Sequence, residues 1–488
     1  MFAFFFRSDM AAQVGPPPLR LHNTLSGELE VFTPLHGNTV KMYNCGPTVY
    51  GTQHIGNMRA AVFGDVLRRI LTTWEYDVKQ VINITDFGHL TSDADEGEDK
   101  MTMGLKRDGM ELSLANMRVL AERYTEEYFA DIDAVGVDRT KIEFPRASDY
   151  IPEQISLIQT LVEKGYAYTT DHGVYYDVSR FPTYGKLGNI NLSGLREGAR
   201  VQENSYKHGP FDFILWKSDK KVGWESPWGL GFPGWHIECT AMIFKLLGKQ
   251  IDIHTGGIEH IPVHHNNEIA QAEAATGKQF VQKWLHYDHI TIEGKKISKS
   301  LGNTVYVHNI ADRGFSPLAL RYWFLTAHYR SSANFTWDAI EAADTAYNRL
   351  GRMYLEYKTS AKGEALLDPA FEKPFLNTIS NDLDTPRAIA LTWDYMKRAD
   401  ISAAHKVGAL TLLNDTFGLG LSAERMTAKL QVIEEKDLPE EIQQLLKDRE
   451  AAREAKDFMR ADELRDAIRD KGFEVKDSPE GSRITAAV

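Results

Sequence analysis

"VKMYNCGPTVYGTQHIGNMRAAVFGDVLRRILTTWEYDVKQVINIT", residues 40–85, decides the fold class. "VKMYNC" (40–45) alternates well enough for a strand. "GPTVYGTQHIGN" (46–57) is a turn punctuated by Gly46, Pro47, Gly51 and Gly56. "MRAAVFGDVLRRILTTW" (58–74) has the apolar spacing of a helix, and "VKQVINIT" (78–85) reads as a buried strand. Strand, helix and strand in that order make a βαβ unit, which implies a parallel sheet and an α/β protein. The helix after the turn starts with free N–H groups and the positive end of its dipole, a ready phosphate site. His54 stands just before that start.

Outward from this unit, 488 residues are too many for one core, and two to four domains are expected. Residues 11–35, with "GPPP" at their centre, read as a mobile lead, so that 1–35 is set apart. Residues 110–170 read as helices and 171–220 as short strands and turns. The stretch at about 127–220 is thus a mixed insertion in a sheet domain spanning 36–310. A second α/β stretch holds a helix at 235–248, a strand at 251–257 and a helix from His264. From about 316 to about 420 the chain is mainly helical. "LPEEIQQLLKDREAAREAKDFMRADELRDAIRDKG" (438–472) is a charged helical hairpin, followed by two short strands at 473–484. Its apolar positions Ile442, Leu445, Leu446, Phe458, Leu464 and Ile468 suit packing onto a neighbour.

Net charge is −12, which argues against bulk electrostatic coating of nucleic acid but leaves room for a specific RNA partner. No apolar run approaches the ~18 residues of a membrane span. "MFAFFF" at the start lacks the length and cleavage pattern of a secretory signal. A cytoplasmic protein is the simplest reading. The two cysteines, Cys45 and Cys239, lie far apart, so no disulfide framework is suggested.

Two further stretches carry chemistry. "VHHNNEIAQAEAATG" (263–277) opens a helix that Gly277 ends. Positions i and i+4 share a face, so His264 and Glu268 point the same way while His265 points elsewhere. "GKKISKSLGN" (294–303) sets Lys295, Lys296 and Lys299 among glycines and serines, without apolar periodicity. Several ammonium groups on a flexible loop suit charge that develops during phosphate chemistry.

"HIGN" (54–57) and "KKISKS" (295–300), about 240 residues apart in this order, resemble the "HIGH" and "KMSKS" signatures of class I aminoacyl-tRNA synthetases. "MYNCGPTVYG", "NITD" (83–86), "PGWHIECTAM" (233–242), "HHNNEIAQ" (264–271) and "ISKSLGN" narrow the resemblance to cysteinyl-tRNA synthetases. "LRYWFLTAHYRS" (320–331), "NDLDTPRA" (381–388) and the "KDFMRADELRDAI" tail agree, so that the likeness covers about 20–485. It implies a Rossmann-like catalytic domain, a linker at 311–345 that contacts the tRNA stem, a helical tRNA-binding domain at 346–425, and a small α+β anticodon-recognition domain at 430–488.

The resemblance also implies activation of L-cysteine by ATP, with Mg2+, and transfer to cysteine tRNA by a monomer. Cys45, Cys239, His264 and Glu268 match the four ligands of one zinc ion, and thiolate, imidazole and carboxylate are ordinary zinc donors. Gly46, Thr48, Thr85 and Trp235 match the amino-acid pocket. His54, Gly56, Gly256, Gly257 and Lys299 match ATP-binding positions, with His54, Asn57, Lys296 and Lys299 as the catalytic signature residues. Three departures stand out. The second His of the signature is Asn57, the glycine run reads "HTGGIEH", and "VHHNNE" replaces "PHHENE". Two other readings compete: a ligase joining cysteine to an amino-sugar, which lacks the long tail, and a non-catalytic paralogue.

Overall fold

The computed structural model describes residues 16–87, 99–190, 206–297, 302–361, 365–421, 438–455, 457–478 and 481–486. In chain order, β1 (Arg20–Asn23) and β2 (Glu28–Val31) precede β3 (Thr39–Asn44), α1 (Ile55–Thr73) and β4 (Asp77–Ile82). Next come α2 (Lys100–Arg107), α3 (Leu114–Ala134), β5 (Ile142–Glu143) and α4 (Ile151–Glu163). β6 (Ala167–Thr170), β7 (Gly173–Tyr176), β8 (Phe213–Ser218) and β9 (Gly231–Pro233) form an antiparallel sheet. α5 (Trp235–Leu246), β10 (Ile251–Gly257), α6 (His264–Thr276) and β11 (Val281–Tyr287) make the second α/β stretch.

The central sheet has the order β11-β10-β3-β4-β5, and all its pairings are parallel. Strand order reverses between β3 and β10, and a doubly wound sheet binds ligands outside the carboxyl ends of its strands at such a point. β3 ends at Asn44, one residue before Cys45, and β10 ends at Gly257. The βαβ unit read from residues 40–85 therefore places its own turn at the binding edge. Since β5 pairs with β4, residues 142–143 still belong to the parallel sheet. The insertion lies later than 127–220: it consists of α4 and the antiparallel sheet, which runs on to Pro233.

The described part of the lead departs from the sequence reading. β1 and β2 form a hairpin, with Leu19, Leu21 and Phe32 buried in the main core. Thr24 N–H donates to the Trp284 carbonyl at 2.9 Å, and His22 N–H donates to Asp382 Oδ1 at 2.9 Å. The prolines at 16–18 end just where this alternating pattern begins, so they precede the strand rather than break it.

β12 (Ile290–Ile292), β13 (Lys295–Lys296), α7 (Val307–Asp312), α8 (Pro317–Leu325) and β14 (Ala333–Phe335) follow the sheet. The helical region is α9 (Trp337–Ser360), α10 (Pro369–Ile379), α11 (Thr385–Lys397) and α12 (Ala403–Phe417). One buried charge cluster ties it to α1. Asp65 on α1 pairs with Arg68, with Arg69 Nε at 2.8 Å, and with Arg321 of α8. Arg321 also donates to the Phe417 carbonyl at 2.6 Å and to the Val135 carbonyl at 3.2 Å, at the ends of α12 and α3. Burial opposes the charge on Asp65, yet Arg321, Arg69 and Arg68 hold its carboxyl well below the usual range. A carboxylate with a depressed folded pKa contributes its stability in full above about pH 4 and loses it as pH falls. Asp65→Ala leaves the fully buried Arg321 without its counter-charge, and loss of one partner of a buried pair costs about 3–5 kcal/mol. Urea unfolding at pH 7 is expected to show that loss, and the difference from the parent chain should shrink below pH 4.

The tail comprises α13 (Glu440–Glu454), α14 (Phe458–Asp470), β15 (Phe473–Ser478) and β16 (Gly481–Ala486). Ile442, Leu446 and Ile468 pack with Val475 and Ile484, so the hairpin closes on its own strands. Phe458 is 64% exposed and takes no part, contrary to its place in the expected apolar stripe.

Candidate active site

The turn from Cys45 to Asn57 forms one wall of a cavity of about 390 Å³ at the reversal of strand order. At one end of the turn, His54 is the N-cap of α1. Its Nδ1 accepts from the Gly56 N–H at 3.1 Å, and Asn57 Oδ1 accepts from the His54 N–H at 3.2 Å. This reciprocal capping box fixes the start of the helix, and it gives the Asn57 departure a local structural job. Both side chains line the cavity.

At the other end, Gly46 N–H donates to Asn83 Oδ1 at 2.8 Å. A Cβ on Gly46 would lie 1.7 Å from the Asn83 carbonyl oxygen, a clash with backbone that cannot rotate away. Gly46→Ala must therefore move the turn off β4. A shift of ~1 Å at such a site costs on the order of 100-fold in rate, so the reaction run in this cavity is expected to slow by at least that much in a turnover assay.

Beside Gly46 lie the metal-type donors. Cys45, His264, His265 and Glu268 offer atoms all within 4.8 Å of one another. The i, i+4 reasoning holds for His264, whose Nε2 is 2.9 Å from Glu268 Oε1. For His265 it does not: the ring turns toward the same cluster, with Nε2 3.3 Å from Cys45 Sγ. Cys239 also joins, hydrogen-bonded to Cys45 and His264. Cys45, Cys239 and His264 line the cavity, whereas His265 and Glu268 lie behind its surface.

The donors are held from behind. His236 Nδ1 meets His264 Nδ1 at 2.9 Å, leaving Nε2 toward Glu268. His254 Nε2 holds Glu268 Oε2 at 2.8 Å, and His286 Nε2 holds His265 Nδ1 at 2.7 Å. Glu268 Oε1 is buried beside His264 Nε2 at 2.9 Å, two ordinary metal-donor atoms close enough to share one cation. Burial alone would neutralise Glu268 and His264, but their neighbours win. His254 and His264 bring the Glu268 carboxyl to about 2, and Glu268 with Cys239 brings His264 to about 10. The hydrogen bond from Cys45 holds the Cys239 thiol down, at about 6, while burial raises Cys45. These residues fit a zinc ion.

The other sequence-derived positions divide. Gly46, Thr48 and Trp235 line the cavity, and the Trp235 ring stacks on His264 with centroids 4.0 Å apart. Thr85 does not line it; its hydroxyl donates to buried Glu238 at 2.8 Å. Gly56, Gly256 and Gly257 also stand back from the surface. A Cβ on Gly256 would meet the His265 and His260 rings at 2.6 and 2.7 Å. Lys296 is exposed on β13 and Lys299 lies outside the described residues. Sequence reasoning missed His236, His254, His260 and His286. Three sit on α5, β10 and β11, and strand pairing and helix packing, not local pattern, bring them to the cavity.

A doubly wound sheet with a capped "HIGN" turn at its switch point defines a class I aminoacyl-tRNA synthetase. Residues 31–345 match the family model "tRNA synthetases class I (C) catalytic domain", and residues 435–484 match "Cysteinyl-tRNA ligase anticodon binding domain". Cysteine–tRNA ligase 1 of Burkholderia lata is 44% identical over 96% of this chain and 97% of its own. Cysteine–tRNA ligase of Thermus thermophilus is 42% identical over 95% and 98%. A crystal structure of Mycobacterium tuberculosis methionyl-tRNA synthetase with methionyl-adenylate shares the fold, with a TM-score of 0.55, 14% identity, and 80% of this chain and 91% of that chain covered. The chain belongs to the cysteine–tRNA ligase family. Among the described residues no helix is long and apolar enough to cross a membrane.

Proposed function

We propose that this chain joins L-cysteine to cysteine tRNA at the expense of ATP, in two steps. A cysteine carboxylate oxygen bonds to the α-phosphorus of ATP; the bond to the β-phosphate oxygen breaks and pyrophosphate leaves with its electron pair. A hydroxyl of the tRNA 3′ end then attacks the acyl carbon, loses its proton, and AMP leaves. The observation that carries this reading is the meeting of two thiols, an imidazole and a carboxylate in and behind the buried wall of a synthetase cavity.

Four donors would hold zinc: Cys45, His264 and Glu268, with Cys239 as the fourth. Cys239 is preferred over His265 because it lines the cavity and because the His265 ring is engaged by His286 and Cys45. Bound there, zinc supplies strong affinity for a thiolate and little for a hydroxyl, the distinction between cysteine and serine. Trp235 closes the same end. His54 and Asn57 fix the start of α1, whose dipole favours the negative charge of the nucleotide. No general base is needed in the first step, so positioning and charge carry its rate. Mg2+ accompanies ATP, and Lys299 is assigned to the phosphates by its match to the second signature.

Residues 36–310 then activate cysteine, 311–345 meet the tRNA stem, and 346–425 with 430–488 bind the rest of the tRNA. The match of residues 435–484 to an anticodon-binding family supports tRNA over an amino-sugar acceptor. The test is cysteine-dependent exchange of pyrophosphate into ATP, followed by charging of cysteine tRNA. Exchange without charging would favour a different acceptor, and neither activity would favour a non-catalytic paralogue.

A further inference from the structure

The cavity has to receive a carboxylate and a triphosphate, yet its described wall is poor in positive charge. Cys45, Cys239 and Glu259 bring thiol or acid groups, and Lys100 is the one lysine or arginine among the described residues that line it. Lys100 is the first residue of α2, a helix outside the signature segments.

α2 is fixed against the middle of the active-site turn. A Cβ on Gly104 would lie 2.9 Å from the Tyr50 carbonyl oxygen and 2.8 Å from the Leu120 side chain, so only glycine lets the helix come this close. Arg107 donates to the same Tyr50 carbonyl at 3.0 Å and to the Tyr124 hydroxyl at 2.8 Å. Asp99 caps the helix, accepting from the Thr102 N–H at 2.7 Å. The Thr52 hydroxyl ties the turn to α3 by donating to Glu127 at 2.9 Å. Tyr50 stands midway between Cys45, among the thiol-binding donors, and Asn57, at the nucleotide end. A lysine rooted at the start of this clamped helix brings its charge to the cavity wall.

We propose that Lys100 contacts the α-phosphoryl group during cysteine activation. Its ammonium offsets the charge on the non-bridging oxygens while the carboxylate bond forms and the bond to pyrophosphate breaks. It gives up no proton. The assignment rests on the ligase reading above.

The test uses the full-length metal-loaded protein with Lys100→Met and Lys100→Arg, since Met keeps the apolar stem. Lys100→Met is expected to lower kcat for pyrophosphate exchange on the order of 100-fold. KM for cysteine and ATP should stay within about threefold, because the contact strengthens in the transition state. Lys100→Arg should recover about a tenth or more of the lost rate, since it keeps the charge. Full exchange activity in Lys100→Met, or a change confined to KM for ATP, would overturn the proposal. So would equal losses in both variants with a lowered melting temperature, which marks a packing role. A parent chain without exchange activity would instead sink the ligase reading.

Discussion

Cys239→Ser is expected to lose the metal and to bring the preference for cysteine over serine down to about 10–200-fold, the range an apolar pocket supplies. The substitution removes one heavy donor and little volume. Cys239 is 1% exposed and belongs to the same buried cluster as Tyr43 and Met242, so a serine there is held in place and the fold should survive. What changes is donor chemistry, because a hydroxyl does not ionise where the Cys239 thiol does at about 6. Metal analysis should find about one equivalent in the parent protein and far less in the variant. The ratio of kcat/KM for cysteine to that for serine in pyrophosphate exchange gives the preference. His265→Asn separates the two candidate donor sets. If His265 only orients Cys45, metal affinity should fall by about 10–100-fold while the metal stays bound at saturating zinc. If His265 is the fourth ligand, that variant should lose the metal and Cys239→Ser should keep it. A metal-free Cys239→Ser protein that still rejects serine as the parent does would end the idea that the metal reads the thiol.

The βαβ unit was legible because its signals are local: a period of two, a glycine-rich turn, then a period of 3.6. The α6 helix was legible for the same reason, with Gly277 in the left-handed region at φ 69° as its stop. Donor identity needs more. His265 is off the His264 face by helical geometry, yet the ring is drawn to Cys45 by a strand from elsewhere in the chain. His254 and Gly256 on β10, and His286 on β11, reach the site through strand pairing that local sequence does not disclose. Lys100 was hidden for a similar cause: α2 meets Tyr50 across 54 residues through a glycine contact and a carbonyl. The hairpin at β1 and β2 was masked by "GPPP", whose composition resembles a linker although Leu19 and Leu21 beyond it are core residues. Tertiary pairing, not propensity, decided each of these.

Removing residues 430–488 is expected to leave cysteine-dependent pyrophosphate exchange within a few-fold and to cut tRNA charging by about tenfold to a thousandfold. The first half follows from packing. Leu438, Ile442, Leu446, Ile468, Val475 and Ile484 form a hydrophobic cluster of their own, so their loss opens no hole around the cavity. Each cavity-lining residue lies at or before Ile297. The second half follows from RNA energetics: a lost specific contact costs ~1–3 kcal/mol, and several go together. Charge alone does not explain binding here, because from Lys447 on the tail has ten Lys/Arg against eleven Asp/Glu. The defect should therefore depend on which anticodon is offered more than on salt. It should appear in kcat/KM for tRNA, measured with transcripts mutated one anticodon position at a time. The full chain should penalise those mutants and the truncated chain should charge all of them at a similar low rate. If the truncated enzyme still discriminates anticodon mutants as the full chain does, the tail serves some purpose other than reading them.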